Sequence, residues 1–201
     1  MNDSALTPER ILDAAEDVLR RYGPAKATVV DVARFLEVSH GTIYRHFPSK
    51  AALRDAVAER WLHRVSAPLM AIANESGNES GDIAERLYRW LQQLITLKRQ
   101  KVLDDPELFA TYAAIAEEAR DVVKAHVDEL IGQLARIIDR GIANHEFKVL
   151  DAESTAKAVF NATVRFHHPA HASEWSDSAI DADFKQVWSL ILVGLKVGEL
   201  Q

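Results

Sequence analysis

Apolar residues return every three to four positions along almost all of the 201-residue chain, and that period commits it to helices. From Pro8, the residues Ile11, Leu12, Ala15, Val18 and Leu19 follow the i, i+3, i+4, i+7, i+8 pattern of an amphipathic helix. Thr7 suits its N-cap, Pro8 its first position and Gly23-Pro24 its end. A short helix is predicted over 28–35, and its Thr28-Val-Val-Asp31 start has the shape of a capping box with Asp in place of Glu. A third begins near Ser39 and stops at Phe47-Pro48; a fourth runs from Ser49-Lys50 through Trp61 towards Ala73, with Pro68 as a kink. The stretch from Asn74 to Gly81 has turn formers and no apolar residue, so it reads as a link between two halves. Beyond it, helices are predicted at about 82–100, 105–117, 119–143, 152–168 and 179–198. No alternating pattern of any length appears, so the fold class is all-α, with about nine helices.

Composition narrows the function. The chain is 48% hydrophobic, enough for a real core and too much for disorder. No apolar run reaches the roughly 20 residues that span a bilayer, and the polar N-terminus is unlike a signal peptide, which points to a soluble cytoplasmic protein with no membrane partner. With no Cys, thiolate metal sites and Cys nucleophiles are excluded. The net charge of −6 argues against nucleic acid as a partner, but the average hides a division. Residues 20–50 hold six basic and two acidic side chains, whereas residues 65–201 hold 14 basic and 21 acidic.

The basic segment has its own pattern. Val29, Val32, Ala33 and Leu36 make the inner face of one short helix, Glu37-Val38-Ser39 a tight turn, and Ile43 and Phe47 the inner face of the next. The remaining positions of that second helix, Ser39, His40, Gly41, Thr42, Tyr44, Arg45 and His46, are small, polar or basic. A short helix with one apolar stripe and a donor-rich outer face suits the major groove of double-stranded DNA. The run from Val32-Ala33 through Val38-Ser39-His40-Gly41-Thr42-Ile43-Tyr44-Arg45-His46-Phe47-Pro48-Ser49-Lys50 to Leu53 resembles the DNA-binding domain of TetR-family transcriptional regulators. The likeness covers about residues 8–60 and includes the spacing of Thr42, Tyr44, Phe47, Lys50 and Leu53.

The resemblance implies a homodimer that reads a palindromic operator, most often as a repressor, with a three-helix DNA-binding domain over 1–54 and a helical ligand-sensing and dimerisation domain over 55–201. It also implies that Thr28, Tyr44 and Lys50 contact phosphates, while Ser39, His40, Thr42, Arg45 and His46 face bases or backbone. Glu37 departs from the pattern, because many relatives carry Gly in that turn; a left-handed backbone there would cost a non-Gly residue about 1–2 kcal/mol.

The C-terminal half shows no Gly-rich phosphate loop, nucleophile elbow or Ser-His-Asp spacing, so no catalytic residue is assigned and no cofactor is required. Its last two predicted helices carry apolar rows, Ala156, Val159, Phe160, Thr163, Val164 and Phe166 on one and Ile180, Phe184, Val187, Trp188, Ile191 and Leu195 on the other. Such rows serve either an intrachain core or, as the resemblance implies, the pairing of two copies. The aromatics Trp90, Phe109, Tyr112 and Phe160, with Trp175 and the imidazoles of His126 and His167, are candidates to line a small-molecule pocket. Phe166-His167-His168-Pro169-Ala170-His171 adds a second possibility. His167 and His171 have i, i+4 spacing, and with His126 and Asp105 they would make a donor set for a divalent metal such as Zn or Ni, although Pro169 disturbs a continuous helix. The alternative function is therefore a helical metal-binding enzyme or metal sensor.

Overall fold

Thr7 caps the first helix, α1 (Pro8–Tyr22), its hydroxyl accepting from the Arg10 amide at 3.3 Å, and Gly23 ends it at φ 71°. The computed structural model, which describes residues 6–75, 82–104 and 106–197, continues with α2 (Val29–Phe35), α3 (His40–His46) and α4 (Lys50–Ala73). There follow α5 (Ile83–Asp104), α6 (Pro106–Glu118), α7 (Arg120–Ala143), α8 (Ala152–Ala162), α9 (Val164–His167), a 3-10 turn over Pro169–Glu174, and α10 (Ile180–Leu195). Among the described residues extended pairing is confined to a single bridge between Phe147 and Lys196. None of the described helices is long and apolar enough to cross a membrane. The chain divides into two compact units, one of residues 1–63 and 105–125, the other of 64–104 and 126–201.

In the first unit α1, α2 and α3 share a core with the start of α4 and with α6. Ile11 and Ile43 are wholly buried, packed with Val18, Val32, Val57 and Trp61. Trp61 stacks on Tyr112 with ring centres 4.6 Å apart. Arg60 ties α4 to α1 by ion pairs of 2.7 Å to both Asp13 and Glu16.

The second unit is built around Trp90, Leu91 and Leu94 of α5 and Leu134, Ile137 and Ile138 of α7, none of them exposed at all. One polar string crosses this core. The Trp90 indole donates to Gln133 at 3.0 Å, and the Gln133 amide donates to the Ser66 carbonyl at 3.2 Å, so α5, α7 and α4 are linked through a single side chain. The carbonyls beyond the end of α4 would be orphans. Arg140 and Arg86 donate to the Glu75 carbonyl at 2.5 and 2.9 Å, and Arg140 also reaches the Ala73 carbonyl at 3.3 Å.

Two elements differ from what the periodicity indicates. The helix predicted over 152–168 breaks at Thr163, whose backbone turns to φ −102°, ψ 4° while its hydroxyl bonds back to the Val159 and Phe160 carbonyls at 3.0 and 3.1 Å. On α10, Ile180, Phe184 and Leu195 are buried and Val187, Trp188 and Ile191 partly so, all within this chain's own core. A second apolar row faces away: Leu190 and Val193 are each 76% exposed.

The α7 C-terminus carries one tight contact. A Cβ at Gly141 would overlap the ring of Phe147, itself buried in the core. Overpacking of this kind costs about 1–3 kcal/mol. Gly141→Ala should therefore lower the unfolding free energy by about that much in urea titration; an unchanged midpoint would show that the ring has room to move.

Candidate nucleic-acid interface and ligand site

The capping box expected at Thr28 is present. The Asp31 amide donates to the Thr28 hydroxyl at 3.2 Å, and the Thr28 amide donates to the Asp31 carboxylate at 3.1 Å. The Thr28 hydroxyl also donates to that carboxylate at 2.6 Å, which holds the Asp31 carboxyl below its ordinary range. At the turn, Glu37 adopts φ 55°, the left-handed conformation in which a non-Gly residue is strained. The Val38 amide closes the turn on the Ala33 carbonyl at 3.0 Å, and the Val38 side chain is partly buried against the first core.

On α3, Ile43 points inward and has no exposure, while His40, Gly41, Tyr44, Arg45 and His46 are exposed and Thr42 half-exposed. Ser39 sits just outside the helix as its N-cap. Its hydroxyl accepts from the Thr42 amide at 3.2 Å and lies 2.9 Å from the Thr42 hydroxyl. Arg45 reaches the same hydroxyl at 3.2 Å, and His40 meets Tyr44 edge-on with ring centres 6.3 Å apart. Lys50 is exposed at the start of α4, which Ser49 caps by accepting from the Ala52 amide at 3.0 Å. Several other cations of this unit are tied to carboxylates: Arg20 to Asp17, Arg34 to Asp31, Arg54 to Glu118, Arg60 to Asp13. Among the described residues Arg45 and Lys50 have no ion pair. A helix face with a donor-rich surface and uncommitted positive charge is equipped to meet phosphates and base edges.

The candidate pocket residues fall in different units. Phe109 and Tyr112 pack in the first core. Trp90, His126, Phe160 and His167 belong to the second, with exposures of 0%, 7%, 8% and 3%. Trp175, also buried there, donates from its indole to the Arg165 carbonyl at 2.9 Å.

The histidines do not gather as the metal reading requires. Pro169 starts a new 3-10 turn, so His167 and His171 share no helical face. His167 turns inward, packed on Phe160 with ring centres 4.6 Å apart, whereas His171 pairs with Glu174 at 2.6 Å. His168 accepts from the Ala170 amide at 3.2 Å as the cap of that turn. Asp105 lies outside the described residues, and among those described no three His, Asp or Glu side chains are grouped to hold a metal ion.

What joins His126 and His167 is a residue that sequence reasoning passed over. Lys98 on α5 is only 6% exposed, and its charge acts on both imidazoles. Burial draws the Lys98 ammonium down to about 8. Burial first, and the Lys98 charge second, bring His126 and His167 to about 3, so both are neutral at physiological pH. The sequence held one clue: Lys98 follows Leu91, Leu94 and Ile95 at seven, four and three positions, which places a lysine in the buried register of α5.

Comparison with known proteins supplies the context. Residues 11–57 match the family model described as bacterial regulatory proteins, tetR family, and residues 84–188 the model described as tetracyclin repressor-like, C-terminal domain. An uncharacterized HTH-type transcriptional regulator of Mycobacterium tuberculosis is 33% identical over 107 residues, 53% of this chain and 49% of that protein, so the match spans about half the relative's length. The probable HTH-type transcriptional regulator ArpR of Pseudomonas putida is 38% identical over 162 residues, 77% of this chain and 75% of its own. SmeT, the repressor of the Stenotrophomonas maltophilia multidrug efflux pump SmeDEF, has the same fold, with a TM-score of 0.67 at 18% identity over 100% of this chain and 95% of SmeT.

The buried imidazoles have a consequence for stability. Their folded pKa of about 3 lies below the ordinary 6.5, so between those values the unfolded chain binds protons that the folded chain refuses. Their contribution is complete above pH 6.5 and is lost as the pH falls towards 3. The Lys98 charge acts on both rings and that of His168 on His167, each opposing protonation. Within that window His126→Leu should flatten the dependence of unfolding free energy on pH by about 1.4 kcal/mol per pH unit, one proton's worth. Urea titrations from pH 4 to 7 measure it, and equal slopes in both proteins would mean that His126 is already protonated or water-exposed.

Proposed function

The chain belongs to the TetR family of bacterial regulatory proteins, and from that premise we propose that it is a transcriptional repressor that holds a palindromic DNA operator as a homodimer and releases it when a small molecule enters the second unit. The observation that carries this reading is α3: Ile43 anchors the helix from inside, while Arg45 and, just beyond it, Lys50 stand outside without carboxylate partners among the described residues. In the complex, Thr28, Tyr44 and Lys50 take phosphates. Gly41 lets the backbone approach the duplex, and His40, Thr42, Arg45 and His46 face the bases. Ser39 acts at one remove, since its hydroxyl caps α3 and holds the Thr42 hydroxyl. The protein works on DNA in the cytoplasm and has no catalytic role on this reading.

Dimerisation has its own support in the second unit. Leu190 and Val193 each expose 76% of their surface on α10, beside a face whose Ile180, Phe184 and Leu195 are buried in this chain's own core. Large apolar side chains left outside a complete core are what a second copy would cover. The pairing surface is the α8 and α10 side of this unit.

A metal-linked mechanism is less well supported. A divalent cation at His126 and His167 would sit beside the Lys98 ammonium, and His171 is engaged by Glu174.

Two measurements test the proposal. Binding of the intact protein to the duplex upstream of its own gene should weaken steeply with salt, through release of counterions from phosphates. Lys50→Ala should lower the slope of log K against log salt by about 2, one contact per protomer. Affinity that is flat in salt and unmoved by Lys50→Ala would sink the DNA-binding reading. For the dimer, Leu190→Glu together with Val193→Glu should give a folded monomer in sedimentation with operator affinity lost. If that variant remains dimeric, the proposed pairing surface is wrong.

A further inference from the structure

The geometry points to a site for a small aromatic molecule, one ring in size, in a cavity of the first unit between α1, α2, α4 and α6, whose occupancy is felt at the DNA face. This site is separate from the one that the regulator reading gives to the second unit. Only its link to DNA rests on that reading.

The cavity measures about 190 Å³. Val18 of α1, Val32 of α2, Leu53 and Val57 of α4 and Ile115 of α6 form its walls, and each is 6% exposed or less. All of them belong to one compact unit. Protein interiors are close-packed, with few voids larger than a water molecule. Ala15 and Ala27, also buried, line the same space, where longer apolar side chains would close it.

Size and polarity select the occupant. An apolar cavity of about 150 Å³ is enough to hold benzene, so this one holds a single ring with a short substituent. Its polar lining residues are Thr28, Lys50, Arg54 and Glu118. The Thr28 hydroxyl is engaged by Asp31, and Arg54 is paired with both Asp55 and Glu118. Aliphatic walls leave a charged or strongly polar body without partners, so the body of the occupant is apolar. Thr28, Lys50 and Glu118 are exposed, so the cavity opens on their side, and any substituent points there.

The walls also carry the link to DNA. Thr28 and Lys50, read above as phosphate contacts, line the cavity together with their neighbours Val29 and Leu53. Ile115 and Glu118 line it from α6, which the Arg54–Glu118 ion pair ties to α4. An occupant that touches both sets of residues fixes how α6 seats against α2 and the start of α4. Where duplex binding depends on that seating, each ligand changes the affinity of the other by the same factor.

The test uses the full chain, with toluene, anisole and benzyl alcohol as probes. In titration calorimetry at least one should bind with a dissociation constant below about 1 mM. At saturation the methyl resonances of Val18, Val57 and Ile115 should shift under its ring current. Ala15→Leu and Ile115→Phe, which fill the cavity from different helices, should each weaken binding about tenfold or more, with thermal unfolding verifying that they fold. No binding by any probe, shifts confined to the second unit, or binding unaltered in a folded variant overturns the site. Duplex affinity of the unaltered chain should change about fivefold or more at saturating probe, and that of the filled variants should not. An unchanged affinity overturns the link to DNA, whereas a chain that binds the probe but no duplex overturns the regulator reading and leaves the site standing.

Discussion

A helix of seven residues has almost no stability of its own in water, so the outward face of α3 exists because Ile43 is buried beneath it. The Ser39 cap and the Phe47 amide, which donates to the Ile43 carbonyl at 3.0 Å, close the two ends. Everything else in the first unit serves that burial. The capping box fixes the start of α2, the left-handed Glu37 sets the angle of the turn, and α1, α4 and α6 close the core around Ile11, Ile43 and Trp61. The strain at Glu37, about 1–2 kcal/mol, is of the size that burial of one apolar side chain offsets. Because one residue holds the helix, its outer positions have no packing duty. They are left to be small, basic and polar.

Much of this was legible from residue types alone, since caps and periodicity are local. Thr7, Pro8 and Gly23 bound α1, and Thr28 with Asp31 starts α2, through hydrogen bonds that span three or four residues. Ser39 was harder to place. A serine at a helix start can face outward or cap, and the choice depends on backbone angles. The break at Thr163 left no trace in the pattern because Phe166 and His167 still turn inward after it. On α10 the apolar stripe proved wider than one interface needs, and a sequence does not say which edge of a wide stripe its own core will cover. Leu190 and Val193 were left outside by the packing of Phe184 and Trp188 against Tyr88.

Polar residues in a buried register are the other place where local reasoning stops. Arg86, Lys98, His126, Gln133 and His167 all occupy such positions, and they are of two kinds. Gln133 completes a hydrogen-bonded string from Trp90 to Ser66, and Arg86 caps the end of α4, so each fixes how helices meet. Buried polar groups that bond across helices give register and uniqueness to a core. His126, by contrast, keeps an unmatched ring nitrogen, and its company is a buried ammonium. Which carbonyl or side chain a buried polar group meets is set by tertiary packing and is invisible in residue identity.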